Sequence, residues 1–442
     1  MTRFLTPRRL RYAWLAGALL WAGWLISVAA GPGLVDLAGQ VVGADYLEFY
    51  AAGATVRLGE SGRLYDVAYQ SQLQQTIIGP QLRSYYGFIT PPFLAWLFAP
   101  LATLPYLWSF ALWSVLGLAA LWASLRLLGV ADPRRAGLWA LTWFPIFAAV
   151  SYGQNSLLSL LLLSLTYWLR RKGRPLAAGL VASLLLYKPQ LVSGIALLWL
   201  LKAAWPAFSA LYERRAIWNG GFSRLGWQGE KPAKASIPTW WAAIFRADLI
   251  ALLGLSIGGA GLAGVTFWLL PEASRAYVTF ARTVLPNLPA YQDFPLWNLH
   301  TLWGFWRLLL PGAPRWADAL YWLGAAAGLV GFVRFWRRQR SQPELSFAAA
   351  ICITLWVTPH AMIYDWAVLL IPAILVWQAA AEHLRYWIVP LALLWLAAFL
   401  SGPLTRGQLA VLPAAVQISV PALLAAFWLA QRVLRPATIS AA

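Results

Sequence analysis

Charge is scarce in this sequence. Asp, Glu, Lys and Arg together make up 11% of its 442 residues, where a water-soluble domain carries about a quarter. That shortage excludes an ordinary soluble fold. There is one cysteine, Cys352, so no internal disulfide can form. It lies within an apolar run and reads as core packing. Histidine occurs three times, without the helical His-x-x-x-His spacing of common metal sites, so no metal is expected. No internal repeat is visible, which weighs against transporters built from inverted halves. No polar stretch is long enough for a nucleotide-binding domain.

What is present is hydrophobic: 61% of the chain, with 29 tryptophans. Apolar runs long enough to approach a hydrocarbon core of about 30 Å are expected near 12–30, 106–126, 136–150, 156–169, 176–187, 189–201, 247–270, 317–334, 345–358, 366–381, 386–401 and 409–431. Val28-Ala29-Ala30 resembles a signal-peptide cleavage site, but the first run is long enough to be retained as a helix. The net charge of +19 is not a nucleic-acid signature, because the basic residues sit in short clusters between apolar runs. Such clusters mark cytoplasmic loops. With the N-terminus inside, the inner segments are strongly basic and the outer ones near balance, so both termini are expected in the cytoplasm. The expectation is an all-α polytopic membrane protein of about 12 segments, some short or re-entrant. Residues 1–442 form one integral membrane domain. It has a first outer loop at 31–90, a cytoplasmic loop at 202–246 and a second large outer loop at 271–316.

The polar residues that break this pattern are few. The runs 176–187 and 189–201 are short, are joined by Tyr187-Lys188-Pro189, and predict a bent hairpin with Lys188 near its apex. Pro189 supplies the break. A lysine there is costly and points to function; its alternative is snorkelling to the headgroups. In the first outer loop, Asp45 and Glu48 stand three apart at the start of a helix running to Leu58-Gly59. That helix is expected to lie along the membrane surface, with Asp45 either a reactive carboxylate or its N-cap. Gln154 and Asn155 suit sugar hydroxyls or the cap of the next helix. Asn298 and His300, alternating with tryptophans, suit sugar contacts or an interfacial helix. His360 and Asp365 follow the end of a span, and His383 reads as solvated. Gly259-Ala260-Gly261-Leu262-Ala263-Gly264 fits a dinucleotide-binding spacing, but inside an apolar span it indicates close helix packing.

Taken in order, several motifs resemble the glycosyltransferase 87 family. They are Asp45 with its aromatic helix, Tyr65-Asp66, Thr90-Pro91-Pro92, Gly153-Gln154-Asn155-Ser156, Ala178-Gly179-Leu180, Tyr187-Lys188-Pro189-Gln190, and Thr358-Pro359-His360 with Tyr364-Asp365. The resemblance covers roughly residues 40–380. It departs from the family where many relatives carry a Trp-x-His-His-like run and this chain has His360-Ala361-Met362-Ile363-Tyr364-Asp365. Characterised relatives include polyprenyl-phosphate-mannose-dependent mannosyltransferases of GT-C fold. The resemblance implies that fold, with amphipathic helices in the outer loops. It also implies inverting transfer from a lipid-phosphate sugar, without cofactor, to a glycolipid, polysaccharide or glycoprotein hydroxyl on the outer face. Asp45 becomes the base. Lys188 and His360 become donor-phosphate ligands, and Glu48, Gln154, Asn155, Asn298, His300, Tyr364 and Asp365 candidates for sugar or acceptor binding. A flippase or transporter of lipid-linked sugars is the competing expectation.

Overall fold

The computed structural model describes residues 7–220, 239–290, 294–379 and 384–433. These residues form helices joined by short turns, as expected of an all-α membrane protein. Helix α1 (Pro7–Ala30) precedes α2 (Tyr46–Arg57), α3 (Val67–Ile78), α4 (Pro92–Phe98), α5 (Tyr106–Leu127), α6 (Pro133–Ala140), α7 (Phe144–Ser151) and α8 (Ser156–Arg171). Then come α9 (Pro175–Ser183), α10 (Gln190–Gly220), α11 (Thr239–Leu269), α12 (Pro271–Thr283) and α13 (Leu302–Leu309). The chain continues through α14 (Pro314–Arg338), α15 (Pro343–Val357), α16 (Leu370–Ala379), α17 (Leu384–Leu409) and α18 (Ser419–Val433). Helices α4, α6, α9, α12, α14 and α15 each open on a proline, which has no N–H to lose there and a φ already set for the helix.

Five described helical stretches are long and apolar enough to cross a bilayer: Pro7–Ala30, Tyr106–Leu127, Arg246–Leu269, Pro314–Arg338 and Val389–Leu409. Shorter apolar helices, including Pro175–Tyr187 and Gln190–Trp205, pack among them. The first helix buries only Gly17. Trp21, Trp24 and Val28 pack partly against the core, but Trp14, Leu15, Leu19, Leu25 and Ile26 are exposed, which is tolerable only against lipid.

Several expected elements take a different form. The run 136–150 is two helices, because Pro145 has no N–H for the Leu141 carbonyl four residues back and its ring crowds that carbonyl. Two indoles satisfy the carbonyls freed at the break: Trp21 donates to Leu141 at 2.8 Å and Trp395 to Thr142 at 3.1 Å. The run beginning at 366 opens as a 3-10 turn over Ile363–Leu369. The 202–246 segment is helical at both ends, since α10 and α11 extend into it. Helix α2 is not a surface helix. Its Leu47, Phe49, Ala51, Ala52 and Ala54 are buried, and a Cβ on Gly53 would meet the Phe98 backbone at 2.6 Å. The glycine run in α11 is only partly at a packing surface. Gly254 and Gly258 press on α9 and Gly259 meets Leu186, whereas Gly261 and Gly264 face open space. His383 lies outside the described residues.

The helical bundle has two unlike ends. At one, Arg170 at the end of α8 pairs with Asp248 of α11, and Arg171 reaches Glu344 at the start of α15 at 3.8 Å. At the other, α8 begins at Ser156, the α9–α10 hairpin turns at Lys188, and α15 gives way to residues 358–366. Exposed Trp108, Trp268 and Trp316 stand around this second end, as indoles do at a membrane–water boundary.

Candidate functional site

The hairpin folds as its sequence dictates. Helix α9 tightens into a 3-10 turn over Leu184–Tyr187. Lys188 then leaves the helical region, at φ −132° and ψ 73°, as the residue before a proline tends to. Its side chain does not snorkel. It is buried, and Nζ donates to Asp365 Oδ1 at 2.6 Å and to Gln154 Oε1 at 3.3 Å. It also stands 5.1 Å from the centre of the Tyr364 ring. An ammonium carries three donors, so one N–H is left for another acceptor. Asp365 is in turn fixed by Ser156 Oγ at 3.0 Å and the Met362 N–H at 3.2 Å.

Asp45 reaches this cluster from the first loop. It stands at the N-cap of α2, yet its side chain makes no cap bond. Instead Gln154 Nε2 donates to Asp45 Oδ2 at 2.8 Å. Two glycines permit the approach. Gly153 has φ +72°, and a Cβ there would meet Tyr46 Cβ at 2.5 Å; Gly43 has φ +68°, and its Cβ would meet Phe110 at 2.6 Å. A backbone bond from the Tyr46 N–H to the Tyr152 carbonyl, 2.9 Å, clamps the loop to the end of α7. The outcome is a continuous chain of contacts: Asp45, Gln154, Lys188, Asp365, Ser156.

The electrostatics follow from burial. Burial raises the Asp45 carboxyl to about 6; the Gln154 hydrogen bond opposes this most, and Lys188 and Tyr364 act in the same sense. Glu48, half-buried one turn along α2, is pushed well above the carboxylate range by burial and by the charge of Asp45. Burial lowers His360, with Asp365 opposing. The site therefore holds one carboxylate committed to an ion pair and one poised near neutrality.

The other candidates divide. Tyr364 belongs to the cluster. His360 is half-buried at its edge, 5.9 Å from the Phe294 ring, with its carbonyl accepting from Gln190 at 3.4 Å. Asn155 is buried beside Gln154, and neither end of its amide has a partner among the described residues; it is the N-cap of α8 without a cap bond. Asn298 and His300 are buried, and their place is behind the cluster. His300 Nδ1 meets Ser419 Oγ at 2.7 Å, its N–H donates to Ala361 at 2.9 Å, and its carbonyl accepts from Trp366 at 3.1 Å. Burial drops its imidazole to about 3, so it is neutral at working pH. Sequence reasoning singled out neither Ser156 nor Tyr152 as a site residue. Ser156 was visible only as the last residue of Gly153-Gln154-Asn155-Ser156. Among the described residues no group of three or more His, Cys, Asp and Glu is arranged to hold a metal ion.

Residues 88–212 match the family model described as Glycosyltransferase family 87, in agreement with the resemblance drawn from the motifs. The matched stretch contains Gln154, Asn155, Ser156 and Lys188; Asp45, Glu48, His360 and Asp365 lie outside it. Neither curated proteins nor solved structures gave a match.

Proposed function

We propose that this chain, whose residues 88–212 match the model of Glycosyltransferase family 87, is a membrane glycosyltransferase that moves a sugar, mannose in the first instance, from a polyprenyl-phosphate donor to an acceptor hydroxyl. The observation that carries this is the half-buried Asp45, held by Gln154 beside the Lys188 ammonium. Asp45 takes the acceptor proton as the new O–C1 bond forms. The bond from C1 to the phosphate oxygen breaks on the opposite face, and its electron pair leaves with the lipid phosphate. The anomeric centre is inverted. A base with a pKa near 6 is matched to this task at neutral pH.

The leaving phosphate gains negative charge as the bond breaks. The unused N–H of Lys188 is the donor placed to meet it, and His360 at the cluster's edge is a second. A donor that strengthens its bond as charge develops lowers the barrier rather than merely binding substrate. Glu48 and Tyr364 border Asp45 and are assigned to the sugar or acceptor. The reaction so written needs no cofactor.

The basic end of the bundle belongs in the cytoplasm by the positive-inside rule. The site then faces the extracytoplasmic leaflet of the cytoplasmic membrane, with both termini inside and a GT-C type of architecture. The acceptor is a glycolipid, envelope polysaccharide or glycoprotein.

Purified protein incubated with radiolabelled polyprenyl-phosphate mannose and membrane acceptors tests the assignment. Wild type is expected to transfer label, and Asp45→Asn to lose transfer by about 10²–10⁴-fold. Full activity in that variant would remove Asp45 as the base. Flux of intact donor across liposomes without product would favour a flippase.

A further inference from the structure

Gln154 stands out because both ends of its amide are engaged by protein. It is buried, donates from Nε2 to Asp45 at 2.8 Å, and accepts at Oε1 from Lys188 at 3.3 Å. These partners fix which way the amide points, since a carboxylate accepts only and an ammonium donates only. One Nε2 N–H and one Oε1 lone pair remain, but the two protein bonds already set where this amide sits and which way it points. We propose that Gln154 is a positioning residue, which locks Asp45 Oδ2 in place so that Oδ1 alone faces the acceptor, and which ties that carboxylate to the Lys188–Asp365 pair. This rests on the reading of Asp45 as the base.

The geometry has a chemical consequence. A hydrogen bond to the ionised form stabilises that form, so Gln154 keeps Asp45 deprotonated at a lower pH than burial alone would allow, and it is the largest of the influences that do so. The other groups facing Asp45 are Glu48 of α2, Lys188 of the hairpin, Asp365, and the phenols of Tyr86, Tyr106, Tyr152 and Tyr364. The phenols are neutral across the working range. Lys188 and Asp365 compensate one another. Gln154 is thus the stronger of two neutral levers on Asp45, the Tyr364 phenol being the other, and the chain Asp365–Lys188–Gln154–Asp45 makes the position of the base depend on the position of the phosphate ligand.

The test is Gln154→Met, which keeps the shape of the side chain and removes both hydrogen bonds. Transfer is measured from pH 5 to 9 with both substrates varied. The expected result is a kcat lower by about 10–100-fold, KM values within about threefold, and an acidic limb displaced upward by roughly half to one pH unit. An unmoved limb with near wild-type kcat overturns the proposal. So does a raised sugar-donor KM at unchanged kcat, which would make Gln154 a sugar ligand. Should Gln154→Met not fold, Gln154→Glu retains the Lys188 contact and sets a second carboxylate against Asp45; its limb must move upward too, and an unmoved limb again overturns the proposal. Failure of the underlying reading is separate, because there Asp45→Asn itself would keep activity.

Discussion

The Lys188–Asp365 pair gives a prediction whose size follows from its setting. Side-chain exposure is 11% for the lysine and 2% for the aspartate, at a separation of 2.6 Å. Lys188→Met leaves Asp365 charged and buried, with Ser156 Oγ and the Met362 N–H as its remaining donors. Breaking such a pair costs about 3–5 kcal/mol, most of it the penalty of the orphaned charge. Asp365→Asn leaves the ammonium with amide oxygens in place of its paired carboxylate and should cost a similar amount. The double variant Lys188→Met/Asp365→Asn removes both charges, and its loss must fall well short of the sum. The shortfall is the coupling. Two charges at that separation and an effective dielectric near 20 attract by about 6 kcal/mol, and water at the lysine weakens this, so about 2–4 kcal/mol is expected. Unfolding in mixed detergent micelles, followed by the fluorescence of the 29 tryptophans, measures all four corners of the cycle. Losses that add to within about 0.5 kcal/mol would refute the pairing, and with it the view that Lys188 is held ready rather than free.

Further outcomes follow from the same geometry. If Asp45 is the base, activity should rise with pH through about 6, because the proposed role requires the ionised form and burial lifts Asp45 to that value; a profile flat from pH 5 to 8 would contradict this. Gly153→Ala places a Cβ 2.5 Å from Tyr46 at a positive φ, for an expected loss of about 2–4 kcal/mol and a fall in kcat, both read from purified variant. His300 is neutral when folded, with its pKa depressed to about 3, while the unfolded chain binds a proton below about 6.5. Stability should therefore decline as pH drops below that value, by at most about 1.4 kcal/mol per unit, and His300→Gln should flatten the slope.

How much of this was legible depends on distance along the chain. The hairpin tip could be read because Tyr187-Lys188-Pro189 announces itself within an apolar run. Its partner could not, since Asp365 lies 177 residues away and nothing local distinguishes a lysine in a buried pair from one reaching the headgroups. Asp45 is legible as a candidate, but the same residue type serves as a cap, and the contact that draws its side chain away from a cap bond comes from Gln154, 109 residues on. The two partners of Gln154 are equally hidden: a polar residue in a short turn offers no sign of where its two ends go. The break within 136–150 was hidden because the indoles that satisfy it come from α1 and α17. Helix α2 was placed on the surface because its small and aromatic residues suit an interface, and they suit equally the close approach of α4 that Gly53 permits.

The separation of Lys188 from Asp365 also bears on how the chain is made. At about 5–20 residues per second, the 177 residues between them take roughly 9–35 s to synthesise. For that time the hairpin tip lacks its ion-pair partner, so it should dwell in a wet or shallow position and settle only when the 358–366 segment arrives. Chains truncated before residue 358 should accordingly leave the Lys188 amine open to aqueous acylating reagents, and the full-length chain should shield it. The pair that organises the site is then also the last latch of its insertion.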